Sequence, residues 1–278
     1  MPTYSKRKGT RRSEHWRHII KLAGELYLLG NLAVAQIYLP KAPPPPADYG
    51  RIVFNSTSKT GPGPVIFDHW LHRAKFTCRV CHVDIGFAMQ ANATGITATT
   101  NHEGYHCGAC HDGKRVLDGK VIFASCSDGP EEKSCDRCHS IGTSNVRQYD
   151  YDTFTSKFPK GVYGVNWELA EQTHVIQPID FIDGLSMTGA SLKNRKDFVV
   201  KPAYSWVHPI AFSHEKHTIW NGCELCHPDI FPAAQKGTVH YSMFLNIEGR
   251  YCGACHGKVA SPLNNCQKCH PNAPPWAQ

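Results

Sequence analysis

The longest apolar stretch of the chain lies near its start, from Ile19 to Leu39, and six basic residues precede it: Lys6, Arg7, Lys8, Arg11, Arg12 and Arg17, against the single acid Glu14. That stretch is about long enough to span a hydrocarbon core, although Lys21 and Glu25 stand near its beginning. Residues 1–40 are therefore expected to form an N-terminal helix that acts as an uncleaved signal anchor. Ala33-Val34-Ala35 has the small-x-small form of a signal peptidase site, so release of a soluble chain is the alternative. Residues 41–50 follow as a proline-rich spacer, whose four consecutive prolines favour an extended, semi-rigid chain. Beyond Arg51 apolar residues are plentiful, but 23 glycines and 19 prolines interrupt the chain, and long regular elements are not expected. The predicted fold is mostly irregular with short α-helices, a few of whose turns fit around Asn166–Gln172.

The cysteines change this picture. Twelve of the thirteen fall into six copies of C-x-x-C-H: Cys78/Cys81/His82, Cys107/Cys110/His111, Cys135/Cys138/His139, Cys223/Cys226/His227, Cys252/Cys255/His256 and Cys266/Cys269/His270. Chance would supply on the order of 0.04 such motifs at this chain's Cys and His frequencies. Two thiols separated by two residues can both bond one porphyrin, and the adjacent His is then held under the iron as its proximal ligand. Six covalently bound haem c groups are therefore expected, with porphyrin faces in place of much of the usual packed core. Structural zinc would leave the six strictly placed histidines unexplained. A redox dithiol would occur once, at a helix start, rather than six times.

Slid against itself by 145 residues, the chain superimposes His69, His72, Cys78, Cys81, His82, Cys107, Cys110 and His111 on His214, His217, Cys223, Cys226, His227, Cys252, Cys255 and His256 without a gap. The third motif breaks the register, because the first repeat carries a 14-residue insertion that contains the odd cysteine, Cys126. The organisation expected is a first three-motif module over residues 51–145, a connecting segment over 146–202 and a second module over 203–278. The aromatic residues of the connection are expected to pack over haems.

Iron with two protein ligands passes electrons, and an open position binds small molecules, so the sixth ligands decide function. Each repeat has an H-x-x-H pair, His69/His72 and His214/His217, that follows an aromatic, Phe67 or Phe212. At i and i+3 on a helix both imidazoles leave one face.

F-x-H-x-x-H, then C-x-x-C-H, C-G-A-C-H and a third C-x-x-C-H resembles the triheme cytochrome c7 module of the class III multihaem cytochromes c, the short relative of tetrahaem cytochrome c3. The resemblance covers about residues 60–145 and 205–272. It implies a haem-packed multihaem cytochrome c of two triheme modules. It also implies that the second His of each pair serves the first haem (His72 with His82, His217 with His227) and the first His the second haem (His69 with His111, His214 with His256). The chain departs from the family pattern at the third haem of each repeat, where Glu103 and Glu248 stand in the usual ligand positions. His102, ahead of His106, is the candidate in repeat one, and Met243 or His240 in repeat two. His174 and His208 are expected to be solvated or to lie outside the ligand shell.

Charge bears on partners. Residues 1–39 hold seven Lys/Arg and two acids, net +5, which leaves +2 of the overall +7 for the rest. Each bis-ligated ferric haem adds about one negative charge through its propionates, so the oxidised domain is expected near about −4. Nothing in this balance calls for nucleic acid. The expected role is electron transfer rather than catalysis, on the periplasmic side of the cytoplasmic membrane. The arrangement resembles membrane-anchored multihaem subunits of quinone/quinol redox complexes, so redox proteins and integral membrane quinone/quinol oxidoreductase subunits are the expected partners. The alternatives are a multihaem reductase with one open haem and a subunit of an extracellular conducting filament.

Overall fold

The computed structural model describes residues 17–23, 25, 39–54, 63–126, 132–139, 149–187, 196–202, 208–232 and 242–272. Residues 17–23 are helical (α1) and expose Ile19, Ile20 and Leu22. Most of the expected span, residues 26–38, lies outside the described residues, and no helix among those described is long and apolar enough to cross a membrane. Residues Ala42–Gln278 form one compact unit.

Within that unit the elements are short. In each repeat a two-stranded antiparallel ribbon feeds directly into the helix bearing the His pair. Strand β1 (Arg51–Phe54) pairs with β2 (Val65–Asp68), and helix α2 (His69–Arg73) follows at once. The ribbon is closed by Arg51 Nε on Asp68 Oδ1 at 2.8 Å. Helix α3 (Ala98–His102) begins at Thr97, whose side chain accepts from the Thr100 N–H in a capping box. The insertion contributes the hairpin β3 (Val116–Leu117) and β4 (Lys120–Val121). In the second repeat β7 (Phe198–Val200) pairs with β8 (Ile210–Phe212) and leads into α6 (His214–Asn221), capped by Ser213. Strand β7 comes from the stretch read in the sequence as connection. Helices α7 (Met243–Ile247) and α8 (Cys266–Cys269) complete this repeat.

The duplication is structural. Strands β2 and β8, helices α2 and α6, helices α3 and α7, and the 3₁₀ turns His106–Ala109 and Tyr251–Ala254 all start 145 residues apart. Each 3₁₀ turn lies against the helix before it so closely that a Cβ on Gly108 would come 1.7 Å from the Asn101 carbonyl oxygen, and one on Gly253 1.8 Å from that of Asn246. The glycine of C-G-A-C-H is thus a packing requirement. Gly253→Ala is expected to destabilise the protein by about 3 kcal/mol, because backbone has to move to admit the methyl. The measurement is the denaturant midpoint at unchanged slope. A cost under about 1 kcal/mol would contradict the close approach.

The connecting segment forms α4 (Tyr151–Phe154), the small hairpin β5 (Lys160–Gly161) and β6 (Gly164–Val165), and α5 (Trp167–Gln172). Helix α5 matches the turns expected at Asn166–Gln172, with Asn166 as its cap. Several aromatics of this segment go into a protein core, while Tyr149 and Phe181 stay exposed. Tyr151 and Val165 bury against Trp70, with Phe154, Phe158 and Trp167 packed around them, while Ala170 and Ile176 bury against Ala74. Trp70 and Ala74 fall on the face of α2 away from His69 and His72, so one helix serves two surfaces. The segment also ties to repeat two. Glu168 pairs with Lys216 and, at 2.7 Å, with Lys268. Those two hydrogen bonds hold its carboxyl down to about 2.

Candidate functional site

Each C-x-x-C-H closes about one helical turn. In the last five motifs the histidine N–H donates to the carbonyl of the first cysteine, at 2.8–2.9 Å for His111, His139, His227, His256 and His270. The first motif lies in the π-helical turn Val80–Ile85 and the residues just before it. This folding puts both sulfurs and the imidazole of a motif on one side of a single turn. None of the thirteen cysteines is in a disulfide. Burial pushes the thiols of Cys81, Cys107 and Cys255 up to about 12 and those of Cys138 and Cys252 up to about 11.

The histidines share a hydrogen-bond pattern. Among the motif histidines, Nδ1 bonds a backbone carbonyl in His82 (Phe87, 2.8 Å), His139 (Gly63, 2.6 Å), His227 (Phe231, 2.6 Å), His256 (Ser261, 2.9 Å) and His270 (His208, 2.6 Å). The same holds for His69 on Gly50 at 2.5 Å, His214 on Lys196 at 3.3 Å and His217 on Ser213 at 2.7 Å. A carbonyl can only accept, so Nδ1 is the donor in these bonds and Nε2 is the nitrogen left to meet a metal. Among the described residues Nδ1 of His72 and of His111 is buried without a partner within hydrogen-bond geometry, although the Asp68 and Phe123 backbones face them. Burial, with smaller contributions from His111 and His69, pushes His72 down to about 4 and keeps it neutral, the form a metal requires. His208 contributes its carbonyl rather than its ring, and His174 is exposed on left-handed backbone.

Rings from the H-x-x-H pairs face rings from the motifs. His69 lies opposite His82 with ring centres 6.5 Å apart and planes 6° from parallel. His72 lies opposite His111 at 6.3 Å, and His217 opposite His256 at 6.1 Å. Two imidazoles bound on opposite sides of one metal at about 2.0–2.1 Å place their ring centres about 6.3 Å apart. The residues therefore fit a metal held between each pair of rings.

This ring placement differs from the pairing that the family resemblance implies. The first His of each pair was assigned to the second haem and the second His to the first, yet His69 meets the first motif, and His72 and His217 meet the second. Three residues advance about 4.5 Å along a helix, so the direction of α2 past the two motifs decides which ring meets which. Phe67 lies 4.5 Å from the His72 ring and Phe212 4.6 Å from that of His217. The aromatic of F-x-H-x-x-H thus packs on both histidines, since Phe67 also meets the His69 ring edge-on at 4.8 Å and Phe212 that of His214 at 5.0 Å.

The third site of each repeat is less complete. His102 ends α3 and Met243 begins α7, so they occupy opposite ends of equivalent helices. Both are exposed, and His240 lies outside the described residues. His106 sits on left-handed backbone, φ 49°, as does Tyr251 at the equivalent place, φ 48°, and its ring lies 5.7 Å from Phe87. Cys126 is exposed, with the Asn101 amide 3.9 Å from its sulfur.

The residues that sequence reasoning passed over are mostly carbonyl acceptors, at Gly50, Gly63 and Lys196. A backbone carbonyl belongs to every residue, so no sequence signal marks them.

The family model for cytochrome c7 and related cytochrome c matches residues 65–140 and 210–271, which contain all six motifs and both His pairs. No curated protein matches. Among solved structures the chain is similar to the C-terminal hexahaem fragment of GSU1996, at 24% identity over 83% of this chain and 99% of that one, with a TM-score of 0.24. It is similar also to the N-terminal hexahaem fragment, at 23% over 81% and 99% with a TM-score of 0.25, and to the dodecahaem cytochrome c GSU1996, at 22% over 81% and 76% with 0.27. With two matched modules, free motif cysteines and histidines poised with Nε2 open, the chain belongs to the cytochrome c7 and related cytochrome c family and is a multihaem c-type cytochrome of electron transfer.

Proposed function

We propose that the chain carries six covalent haems and passes electrons in the periplasm between a membrane quinone/quinol redox complex and other redox proteins. The observation that carries the carrier role is the facing of His69 with His82, His72 with His111 and His217 with His256. An iron held by such a pair of histidines would have two protein ligands and would leave no open position for a substrate. Haem c, when bound, supplies the one-electron chemistry. The twelve motif cysteines would hold it by thioether bonds, and His82, His111, His139, His227, His256 and His270 would be the proximal ligands. His69, His72, His214 and His217 would be distal ligands, joined at the third sites by His102 and by Met243 or His240. The chain's own work is orientation, since each Nδ1–H held on a carbonyl fixes its imidazole and so lowers the reorganisation that a change of charge at the metal demands.

The membrane side of this reading rests on sequence alone. The basic cluster before Ile19 would keep that end in the cytoplasm, and the proline spacer would hold the haem domain beyond the other face. One preparation tests both halves. Protein from washed membranes should need detergent for release and retain its leader on N-terminal sequencing. Its reduced form should not bind carbon monoxide rapidly. A chain starting at Gln36 and released by salt would overturn the anchor, and rapid carbon monoxide binding by one haem would favour a reductase.

A further inference from the structure

Arg73, the residue after His72, does none of the work assigned so far, yet it lies where the two repeats meet. Its Nη1 donates to the Val259 carbonyl of repeat two at 2.8 Å. Its guanidinium carbon lies 4.7 Å from the ring centre of Trp167 in the connecting segment and 5.6 Å from that of Trp220 in repeat two. Three parts of the chain thus converge on one cation.

The same junction brings two haem motifs together. A Cβ on Gly50, whose carbonyl holds His69, would touch Val259 at 3.2 Å and the His69 Cβ at 3.3 Å. Val259 follows His256 by three residues, so the distal ring of the first motif sits beside the fifth. Arg79, inside the first motif, packs its Cδ toward Gly222 at the edge of the fourth, 2.9 Å from where a Cβ would be. Arg73 is within electrostatic reach of Cys78 on one side and of His256 on the other.

Among the described residues no carboxylate forms an ion pair with Arg73. Among the described residues the acid within its reach is Glu171, and one of that carboxylate's oxygens accepts the Trp220 indole N–H at 2.7 Å. A guanidinium stays charged at any working pH, and the aromatic faces around it exclude water that would screen it.

We propose that Arg73 is a positioning residue that locks the second repeat against the first and keeps a fixed positive charge between the first and fifth motifs, raising the reduction potentials of the haems held there. The physical reason is that a nearby cation favours the reduced, less positive iron. This deepens the haem-carrier reading and rests on it.

The test uses the full-length holoprotein, titrated spectroelectrochemically with each haem followed by its own methyl NMR signals. Arg73→Gln should lower the midpoints of the first and fifth haems and leave the others in place. Arg73→Lys, which keeps the charge but not the planar stacking, should largely restore them. Glu171→Gln, which preserves an oxygen for the Trp220 indole, should move the same two midpoints upward. If Arg73→Gln does not fold, the Glu171→Gln shift decides. Unmoved midpoints in folded, fully loaded variants, or a uniform shift of all haems, would overturn the role of Arg73. Native protein that carries no haem by mass would instead sink the carrier reading beneath it.

Discussion

In the His69→Ala protein the iron of the first motif is expected to turn high spin and bind carbon monoxide, while that of the second motif stays low spin. About one-sixth of the haem absorbance should change character. In His72→Ala the second motif should respond instead. The expectation follows from ring geometry: His69 faces His82 at 6.5 Å, and His72 faces His111 at 6.3 Å. Removing an imidazole leaves the iron's proximal ligand in place, since His82 is held independently by the Phe87 carbonyl. A strong axial field is lost and a coordination position opens. The pairing implied by the family resemblance makes the opposite forecast, with His72→Ala opening the first motif. Resonance Raman or low-temperature electron paramagnetic resonance on the two variants, with haems assigned by motif knockouts, separates the two. The irons of the second repeat should keep their spin state in either, because each would keep its own histidines. If His69→Ala opened the second motif, the facing of rings in α2 would not describe the holoprotein.

The mature holoprotein is expected to weigh about 3.7 kDa more than its polypeptide, six haems at about 0.6 kDa each. Changing both cysteines of one motif, Cys223→Ser with Cys226→Ser, should remove one such increment. The motivation is six motifs whose cysteines are all free of disulfides, each with its histidine returned to the first cysteine or set in a helical turn. The increment cannot be lost by denaturation or dialysis, because thioether bonds survive both. Intact mass spectrometry under denaturing conditions therefore reads the number of covalent haems directly. A fully matured protein with fewer than six increments would show that a motif is not used. The third is the sharpest case, because it follows the insertion and Cys135 is exposed.

Much of the site is legible before any folding is considered, because covalent chemistry is local. Two sulfurs and an imidazole that must reach one porphyrin fit within five consecutive residues, so C-x-x-C-H announces itself in the chain. The duplicated His69/His72 and His214/His217 are legible for the same reason, since three residues on a helix put both rings on one face. Helix α5 was also within reach of the sequence, with Asn166 capping a short helical run.

Other features depend on residues far apart in the chain. Which ring of an H-x-x-H pair meets which motif is set by the direction of α2 relative to two separate turns, one close after it and one much further along the chain. The carbonyls that hold Nδ1 of His139 and His270 come from Gly63 and His208, 76 and 62 residues distant. The aromatics of residues 146–202 look in sequence like a covering for haems, yet Tyr151, Phe154 and Phe158 fill a core behind Trp70 and Ala74. Arg73 reads as one more basic residue until Trp167, Trp220 and Val259 surround it. Bonding patterns that close within a helical turn are written in spacing, and spacing determined the motifs, the repeats and the His pairs. Partner choice, burial and the field around a charge depend on groups that only packing brings together, and those the tertiary structure decided.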